Sequence, residues 1–237
     1  MGQVHLFGGE KGGVGKSFVC RTAIAYHLRH HLAFVAFDAD RSNADVLRIY
    51  GDVAGVRPAI LSEGEEFDTA ANAIFNSALD GKRVLVNLPA QVMPALSLWI
   101  DENDLFEMAH DAEVELLSWF VSDCGVDSIA LFEQSLDHFA ENVRHVFVAN
   151  YGLAKKWELL TSNKKLLARM KEMGVSVLRF PKFVGRADRA RIDELSLTFD
   201  AVLESDAFDA FGRQHVKSFL KKAFAQFDES RVFADEP

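Results

Sequence analysis

The amino-acid sequence predicts a doubly wound α/β fold, in which a mainly parallel sheet carries helices on both faces. Short apolar runs alternate along the chain with longer segments of helical periodicity. Continuous apolar runs are typical of parallel strands, because such strands are covered on both faces, and the intervening helices supply this cover. A glycine-rich segment directly after the first run adds a strand–loop–helix unit.

Local patterns predict each element in turn. Apolar runs rich in β-branched and aromatic residues indicate strands, and apolar residues at intervals of three and four indicate helices. The predicted strands are 4–7, 33–37, 83–88, 115–121, 145–149 and 175–180. The predicted helices are 17–31, 93–110, 128–142 and 155–173, with more helix within 195–227.

Length and composition restrict the class of protein. The 237 residues are 49% hydrophobic and 26% charged, which excludes intrinsic disorder and suits one large α/β domain. We expect a single domain over residues 1–228, followed by a frayed acidic tail at 229–237. The sequence has no run of 18 apolar residues, so no membrane span is expected. Its two cysteines lack the spacing of metal ligands, which argues against a zinc or iron–sulfur site. The chain begins directly in a predicted strand, so we expect a cytoplasmic protein.

The charge is distributed unevenly along the chain. The net charge is −9, but residues 144–191 hold 12 Lys or Arg and 3 Asp or Glu, which gives this segment +9 and the rest −18. Such asymmetry indicates either solvated helices or one basic surface for nucleic acid or an acidic protein.

The glycine-rich segment predicts a phosphate-binding loop. Glycines turn backbone N–H groups toward phosphates, and the start of the following helix favours negative charge. In this arrangement Lys16 reaches the β and γ phosphates and the Ser17 hydroxyl faces Mg²⁺. The expected nucleotide contacts are Glu10, Lys11, Gly12, Gly13, Val14, Gly15, Lys16, Ser17 and Phe18.

Residues 11–17 resemble the deviant Walker A box of the ParA/MinD class of P-loop ATPases. The resemblance implies ATP and Mg²⁺ as cofactors and an ATP-dependent homodimer. In that family the first lysine of the box contacts phosphates bound by the partner subunit. By resemblance Lys11 takes this role, and Lys11 and Lys16 are both catalytic candidates.

Two further segments resemble the switch regions of this family. Asp38 and Asp40 end the second predicted strand, where ligands bind in open α/β sheets. By resemblance, Asp38 supports Mg²⁺ with Ser17, and Asp40 positions the attacking water. Asn87 stands where the family has aspartate, so hydrolysis is expected to be slow. Its carbonyl oxygen could still accept a hydrogen bond from a metal-bound water.

Base recognition is expected at the ends of two later strands. By resemblance, Asn150 contacts the adenine and Pro181 lies against the base. The resemblance covers roughly residues 3–190, and it is most specific at the loop.

The partner is less well defined by the sequence. The loop, the switch segment and residues 87–91 look most like ParA-like proteins of plasmid mobilisation, transfer and stability, the TraL, MobD and StbB types. DNA or a transfer or partition protein is therefore the expected partner. The predicted surface for it comprises Lys155, Lys156, Lys164, Lys165, Arg169, Arg186, Arg189 and Arg191. The amphipathic segment 213–227 is compatible with a membrane-surface helix, but packing on the sheet is the favoured interpretation, and no stable membrane insertion is expected.

Three functions agree with these patterns. The first is a dimerising ATPase switch, and the second is a nucleotide-binding adaptor with little or no hydrolysis, which Asn87 favours. The third is a metabolic enzyme that transfers phosphate to a small substrate, but the sequence reveals no separate polar cluster for such a substrate.

Overall fold

The computed structural model describes residues 1–64, 69–154 and 157–234, and within them a parallel sheet is covered by helices. Its strands are β1 (Gln3–Gly8), β2 (Val35–Asp38), β3 (Arg57–Pro58), β4 (Arg83–Asn87), β5 (Glu115–Ser122), β6 (Arg144–Asn150) and β7 (Ser176–Phe180). The strand order is β3-β2-β4-β1-β5-β6-β7, and every pairing is parallel. The predicted fold class is confirmed.

The helices alternate with these strands along the chain. They are α1 (Lys16–Arg29), α2 (Asp45–Ala54), α3 (Asn72–Leu79), α4 (Met93–Glu102), α5 (Leu105–Asp111), α6 (Val126–Phe139), α7 (Glu158–Thr161), α8 (Lys164–Glu172), α9 (Arg186–Glu194), α10 (Phe199–Glu204) and α11 (Ala210–Ser230). A short 3₁₀ turn, Ala140–Asn142, follows α6.

The helices lie on two faces of the sheet because successive strand residues point in opposite directions. In β5, Trp119 belongs to the apolar core that also contains residues of α1, α2, α9, α10 and α11. The next residue, Phe120, belongs to the core beneath α6 and α8. The elements α8 and α9 therefore lie on opposite faces of the sheet.

The structure differs from the predicted elements in places that local patterns do not reveal. The predicted helix 93–110 is two helices, α4 and α5, because Asp104 between them adopts a left-handed backbone conformation with φ 47°. The edge strand β3 consists of only two residues, both exposed, and is too short to show a recognisable pattern.

The C-terminal helix packs on the sheet as the favoured interpretation predicts. Its apolar face, which includes Val216, Phe219 and Phe227, is buried in the core with α1. The expected fraying from residue 229 is wrong for residues 229–234, because α11 continues to Ser230 and Phe233 is buried just after it. Residues 235–237 of the predicted tail lie outside the described residues. No described helix is long and apolar enough to cross a membrane.

Candidate nucleotide-binding site

The predicted phosphate loop connects β1 to α1 and has the backbone that its glycines permit. Gly13 and Gly15 have φ of 76° and 98°, values that side-chain-bearing residues rarely adopt. Space is also limited at Gly15, since a Cβ atom there would lie 2.6 Å from Nδ2 of Asn150. Lys16 and Ser17 then begin α1, so the loop ends at a helix N-terminus suited to an anion.

Asn150 supports this loop with a side-chain hydrogen bond. Its Nδ2 donates to the Val14 carbonyl oxygen at 2.8 Å, and its Oδ1 accepts from the Gly152 N–H at 2.9 Å. The side chain is buried, so both polar ends of the amide contact the protein. The Tyr151 N–H donates to the Phe180 carbonyl oxygen, and this bond brings the end of β6 beside the segment that contains Pro181. The structure therefore gives Asn150 a loop-positioning role, and its contact with a base stays a prediction.

Lys16 is the first residue of α1 and is almost fully buried. Its Nζ donates to the Lys11 carbonyl oxygen at 3.4 Å. Burial lowers the pKa of Lys16, against the opposing charges of Asp40 and Glu10. Lys16, Ser17 and Asp40 line one cavity of about 520 Å³. This volume lies within the range of small-molecule sites.

Glu10 connects the loop to residues 91–93, which follow β4. Its backbone oxygen accepts from the Gln91 N–H, and its carboxylate accepts from the Met93 N–H at the start of α4. Burial raises the pKa of this carboxyl. Glu10 thus connects residues 91–93 to the loop. The sequence predicts that Glu10 contacts the nucleotide, whereas in the structure its carboxylate bonds this neighbouring segment.

Asp38, Asp40 and Asn87 meet at the carboxyl ends of β2 and β4, as predicted. Oδ1 of Asp38 accepts from Asn87 Nδ2 at 2.8 Å and from the Asp40 N–H at 3.1 Å, while Oδ2 accepts from the Leu47 N–H at 2.9 Å. Burial raises the pKa of the Asp38 carboxyl, although these bonds oppose the shift. Asp38 therefore anchors the switch segment from inside the protein.

Asp40 orders the loop that follows β2. Its Oδ1 accepts from the backbone N–H and hydroxyl of Ser42, at 3.1 and 2.6 Å, and from the Asn43 N–H at 3.1 Å. Asp40 also lines the cavity with Lys16, so its carboxylate can contact a ligand there.

The residues around the loop fit a hydrated magnesium ion. In the described part of the chain, no group of three or more His, Cys, Asp and Glu could hold a metal by itself. Mg²⁺ commonly keeps several waters and takes only one or two protein ligands beside the phosphates. Oδ1 of the buried Asn87 has no hydrogen-bond partner among the described residues, so it can accept from a water bound to the metal. Ser17 would supply a direct ligand, with Asp38 behind Asn87.

Local sequence patterns do not identify several side chains near the loop, among them Asp123 and Arg21. Asp123, directly after β5, forms an ion pair with Lys11. Arg21, on α1, lines the cavity with the loop. The rule that ligands gather at the carboxyl ends of strands could have identified Asp123, whereas no local signal identifies Arg21.

The predicted basic surface is not one surface, and this prediction is wrong. Lys164 and Lys165 are exposed on α8, but α8 and α9 lie on opposite faces of the sheet. Arg169 on α8 is paired with Asp137. The α9 residues divide further, because Arg186 and Arg191 are exposed whereas Arg189 lines the cavity that contains Lys16. Lys155 and Lys156 lie outside the described residues.

Comparisons with known proteins agree with this fold. Protein MobD of Acidithiobacillus ferrooxidans is 26% identical over 184 residues, which are 77% of this chain and 79% of MobD. No family model matches the chain.

Two solved structures from Aquifex aeolicus share the fold. The MinD cell division protein aligns with 100% of this chain and 99% of its own, at 13% identity and a TM-score of 0.51. For the MinC:MinD cell division protein complex, the alignment covers 100% of this chain and 98% of the matched chain of the complex, at 12% identity and a TM-score of 0.54. The chain thus has the fold of MinD, and its predicted resemblance to MinD in fold and to MobD in sequence is confirmed.

Proposed function

We propose that this protein is a slow, ATP-dependent dimerising switch of the ParA/MinD type that positions plasmid DNA or transfer or partition proteins. One observation carries the proposal. Lys16, at the start of α1, and Asp40, after β2, line a single cavity with the glycine-rich loop. This arrangement joins a phosphate cradle to a carboxylate that can orient water.

The loop residues supply binding and electrostatic stabilisation. Backbone N–H groups around Gly13 and Gly15 face the phosphates, and the Lys16 ammonium neutralises the charge that develops on them. The Ser17 hydroxyl, with Asp38 and Asn87 behind it, would hold Mg²⁺, which would supply further charge neutralisation.

Hydrolysis requires a positioned water and a second cation. Asp40 accepts a hydrogen bond from the attacking water and so orients it toward the terminal phosphate. Lys11 contacts the phosphates of the partner subunit in the dimer. Because Asn87 is neutral, it holds a hydrated Mg²⁺ less firmly than a carboxylate would, and turnover is slow.

An adaptor that binds nucleotide but hydrolyses little is the second candidate. The Asn87–Asp38 hydrogen bond of 2.8 Å favours it, because the amide uses an Asp38 oxygen that could otherwise accept from a metal-bound water. Turnover measured with and without DNA distinguishes an adaptor from a stimulated ATPase.

Light scattering tests the dimerising switch directly. The chain should be monomeric with Mg-ADP and double its mass with Mg-ATP. Lys16→Ala should abolish nucleotide binding, whereas Lys11→Ala should keep binding and lose turnover. An unchanged mass with Mg-ATP would contradict the switch, and retained nucleotide binding would then support the adaptor.

A further inference from the structure

A buried arginine lines the proposed nucleotide cavity. Arg21 is 2% exposed, and one of its terminal nitrogens donates to Asp193 Oδ1 at 2.6 Å. Its Nε and other terminal nitrogen have no hydrogen-bond partner within the described ranges. The guanidinium carbon also lies 5.6 Å from the ring centroids of Phe18 and Phe199. Unsatisfied donors on a buried cation are costly, so a further acceptor would stabilise this side chain.

A second guanidinium approaches the same place from α9. Arg189 stacks over the Phe18 ring with its guanidinium carbon 4.1 Å from the ring centroid. A guanidinium group that lies over an aromatic ring can still donate hydrogen bonds from its N–H groups. Both Arg189 and Arg21 line the cavity that contains Lys16 and Ser17.

Arg21, Arg189 and Asp193 together carry one more positive than negative charge. Arg21 and Arg189 interact electrostatically with each other and with Asp193, the carboxylate that bonds Arg21. The other two acidic side chains of the cavity have cations of their own, since Asp45 is paired with Arg48 and Asp40 interacts electrostatically with Lys16. Two guanidinium groups therefore share one carboxylate in a largely buried position.

We propose that Arg21 and Arg189 form a second oxyanion subsite, which takes a phosphate group beyond those held by the backbone of the glycine-rich loop. The inference rests on the proposed nucleotide binding and extends it. Ser17 and Arg21 are four residues apart on α1 and hence on one face of the helix, about 6 Å apart. A phosphate on the switch side of Ser17 would meet the free donors of Arg21 and the edge of Arg189.

The phosphate group has two possible sources with the same chemistry. One is the terminal phosphate of a nucleoside triphosphate, in which case the subsite distinguishes ATP from ADP. The other is free inorganic phosphate, bound beside ADP. Guanidinium groups suit either source, because their planar donors match phosphate oxygens in pairs.

Titration calorimetry on the full chain with Mg²⁺ separates the sources. The titrants are ADP, a non-hydrolysable ATP analogue, and inorganic phosphate added to ADP-saturated protein. If the terminal phosphate occupies the subsite, Arg189→Gln weakens binding of the analogue about tenfold and leaves ADP binding unchanged. If free phosphate occupies it, the same substitution weakens only phosphate binding.

Two further variants separate this role from a structural one. Asp193→Asn removes the competing carboxylate and should tighten binding of the oxyanion that Arg189→Gln weakens. Arg179→Gln, an exposed arginine on β7, is the control and should change none of the affinities. Equal affinities in all variants, or loss of binding in both Arg189→Gln and Asp193→Asn, overturns the subsite. If nucleotide binding remains sensitive to Lys16→Ala in that case, the proposed function stands, whereas no nucleotide binding by the unaltered chain overturns both.

Discussion

Nζ of Lys11 lies 2.8 Å from Oδ2 of Asp123 in the same chain. The contact follows from the sheet, since β1 and β5 are adjacent and Gly8 pairs with Phe120 at their carboxyl ends. The other Asp123 oxygen accepts from the Gly125 N–H at 3.0 Å, which fixes the carboxylate. The hydrogen bond to Asp123 raises the pKa of Lys11. The lysine proposed to act on the partner subunit is therefore neutralised within its own chain.

Removing the Asp123 charge should favour the dimer. Asp123→Asn keeps the side-chain shape but releases Lys11, so the ATP-dependent dimer should form at several-fold lower protein concentration. Sedimentation or light scattering over a concentration series with Mg-ATP measures this shift. Asp52→Asn, at an exposed position on α2, is the control for a lost charge. Dimerisation of Asp123→Asn at the same or higher concentration than the unaltered chain would argue against a competing ion pair.

Replacing Asn87 by aspartate should make stability depend on Mg²⁺. The new carboxylate would lie where Asn87 Nδ2 now donates to Asp38 Oδ1 at 2.8 Å. Without metal we expect a loss of about 2 kcal/mol in the free energy of unfolding, because a buried hydrogen bond is replaced by like-charge repulsion. The loss should shrink as the pH falls, since one of the paired carboxyls then protonates and donates to the other.

Urea unfolding of Asn87→Asp with Mg²⁺ and with chelator measures this effect. The exposed Asn76→Asp controls for the added charge and should show no dependence on Mg²⁺. A faster ATP turnover in Asn87→Asp would indicate that the natural chain is slow because of this amide. Equal stability of Asn87→Asp in chelator and in Mg²⁺ would exclude Asn87 from the metal site.

Acid should destabilise the protein through buried histidines near the end of α1. Burial lowers the pKa of His27 to about 4, and the pKa of the buried His5 is also lowered. A neutral folded histidine contributes stability that is complete above its unfolded pKa of about 6.5 and is lost as the pH falls toward 4. For His27 the loss is roughly 2 kcal/mol at pH 5.

Chemical denaturation at pH 7 and pH 5 tests the His27 contribution. His27→Leu removes the titrating ring and should flatten the dependence of unfolding free energy on pH between these values. The exposed His31→Leu should leave the dependence as it is in the unaltered chain. Parallel curves for His27→Leu and the unaltered protein would show that His27 is protonated without cost.

The segment after α11 should contribute substantially to stability. The Phe233 ring lies 4.6 Å from His27, 5.2 Å from Trp119 and 5.4 Å from Tyr26, measured between ring centroids. Phe233→Ala should lower the free energy of unfolding by about 3 kcal/mol. Phe211→Ala, at a position that is 76% exposed, should change it by less than about 0.5 kcal/mol. Similar values for the two variants would mean that the C-terminal segment does not pack as described.

The sequence predicts the fold and the loop because both depend on local patterns. The apolar runs identify the long strands, and the loop glycines specify a backbone that Gly13 and Gly15 adopt. The edge strand Arg57–Pro58 escapes prediction because pairing with β2, and not its own composition, makes it a strand. In the same way, a left-handed residue such as Asp104 divides a helix without any proline or glycine signal.

Side-chain partners across the fold are beyond local patterns. Asp193 bonds Arg21 across 172 positions of sequence, and Asp123 meets Lys11 across 112. Such contacts depend on which strands are adjacent and which helix covers which face. The same reason explains the wrong prediction of one basic surface, because the charges of α8 and α9 are close in sequence but separated by the sheet.

DNA binding, if the cargo is DNA, should depend on α8 and not on α9. Lys164 and Lys165 are exposed at the start of α8, and α9 packs on the opposite face of the sheet. Lys164→Glu with Lys165→Glu should weaken non-specific DNA binding about tenfold and reduce its dependence on salt, because two phosphate contacts are lost. Arg186→Glu with Arg191→Glu, the matched pair on α9, should have little effect. Fluorescence anisotropy with a labelled duplex at several salt concentrations measures both, and binding that is insensitive to salt in the unaltered chain would contradict phosphate recognition altogether.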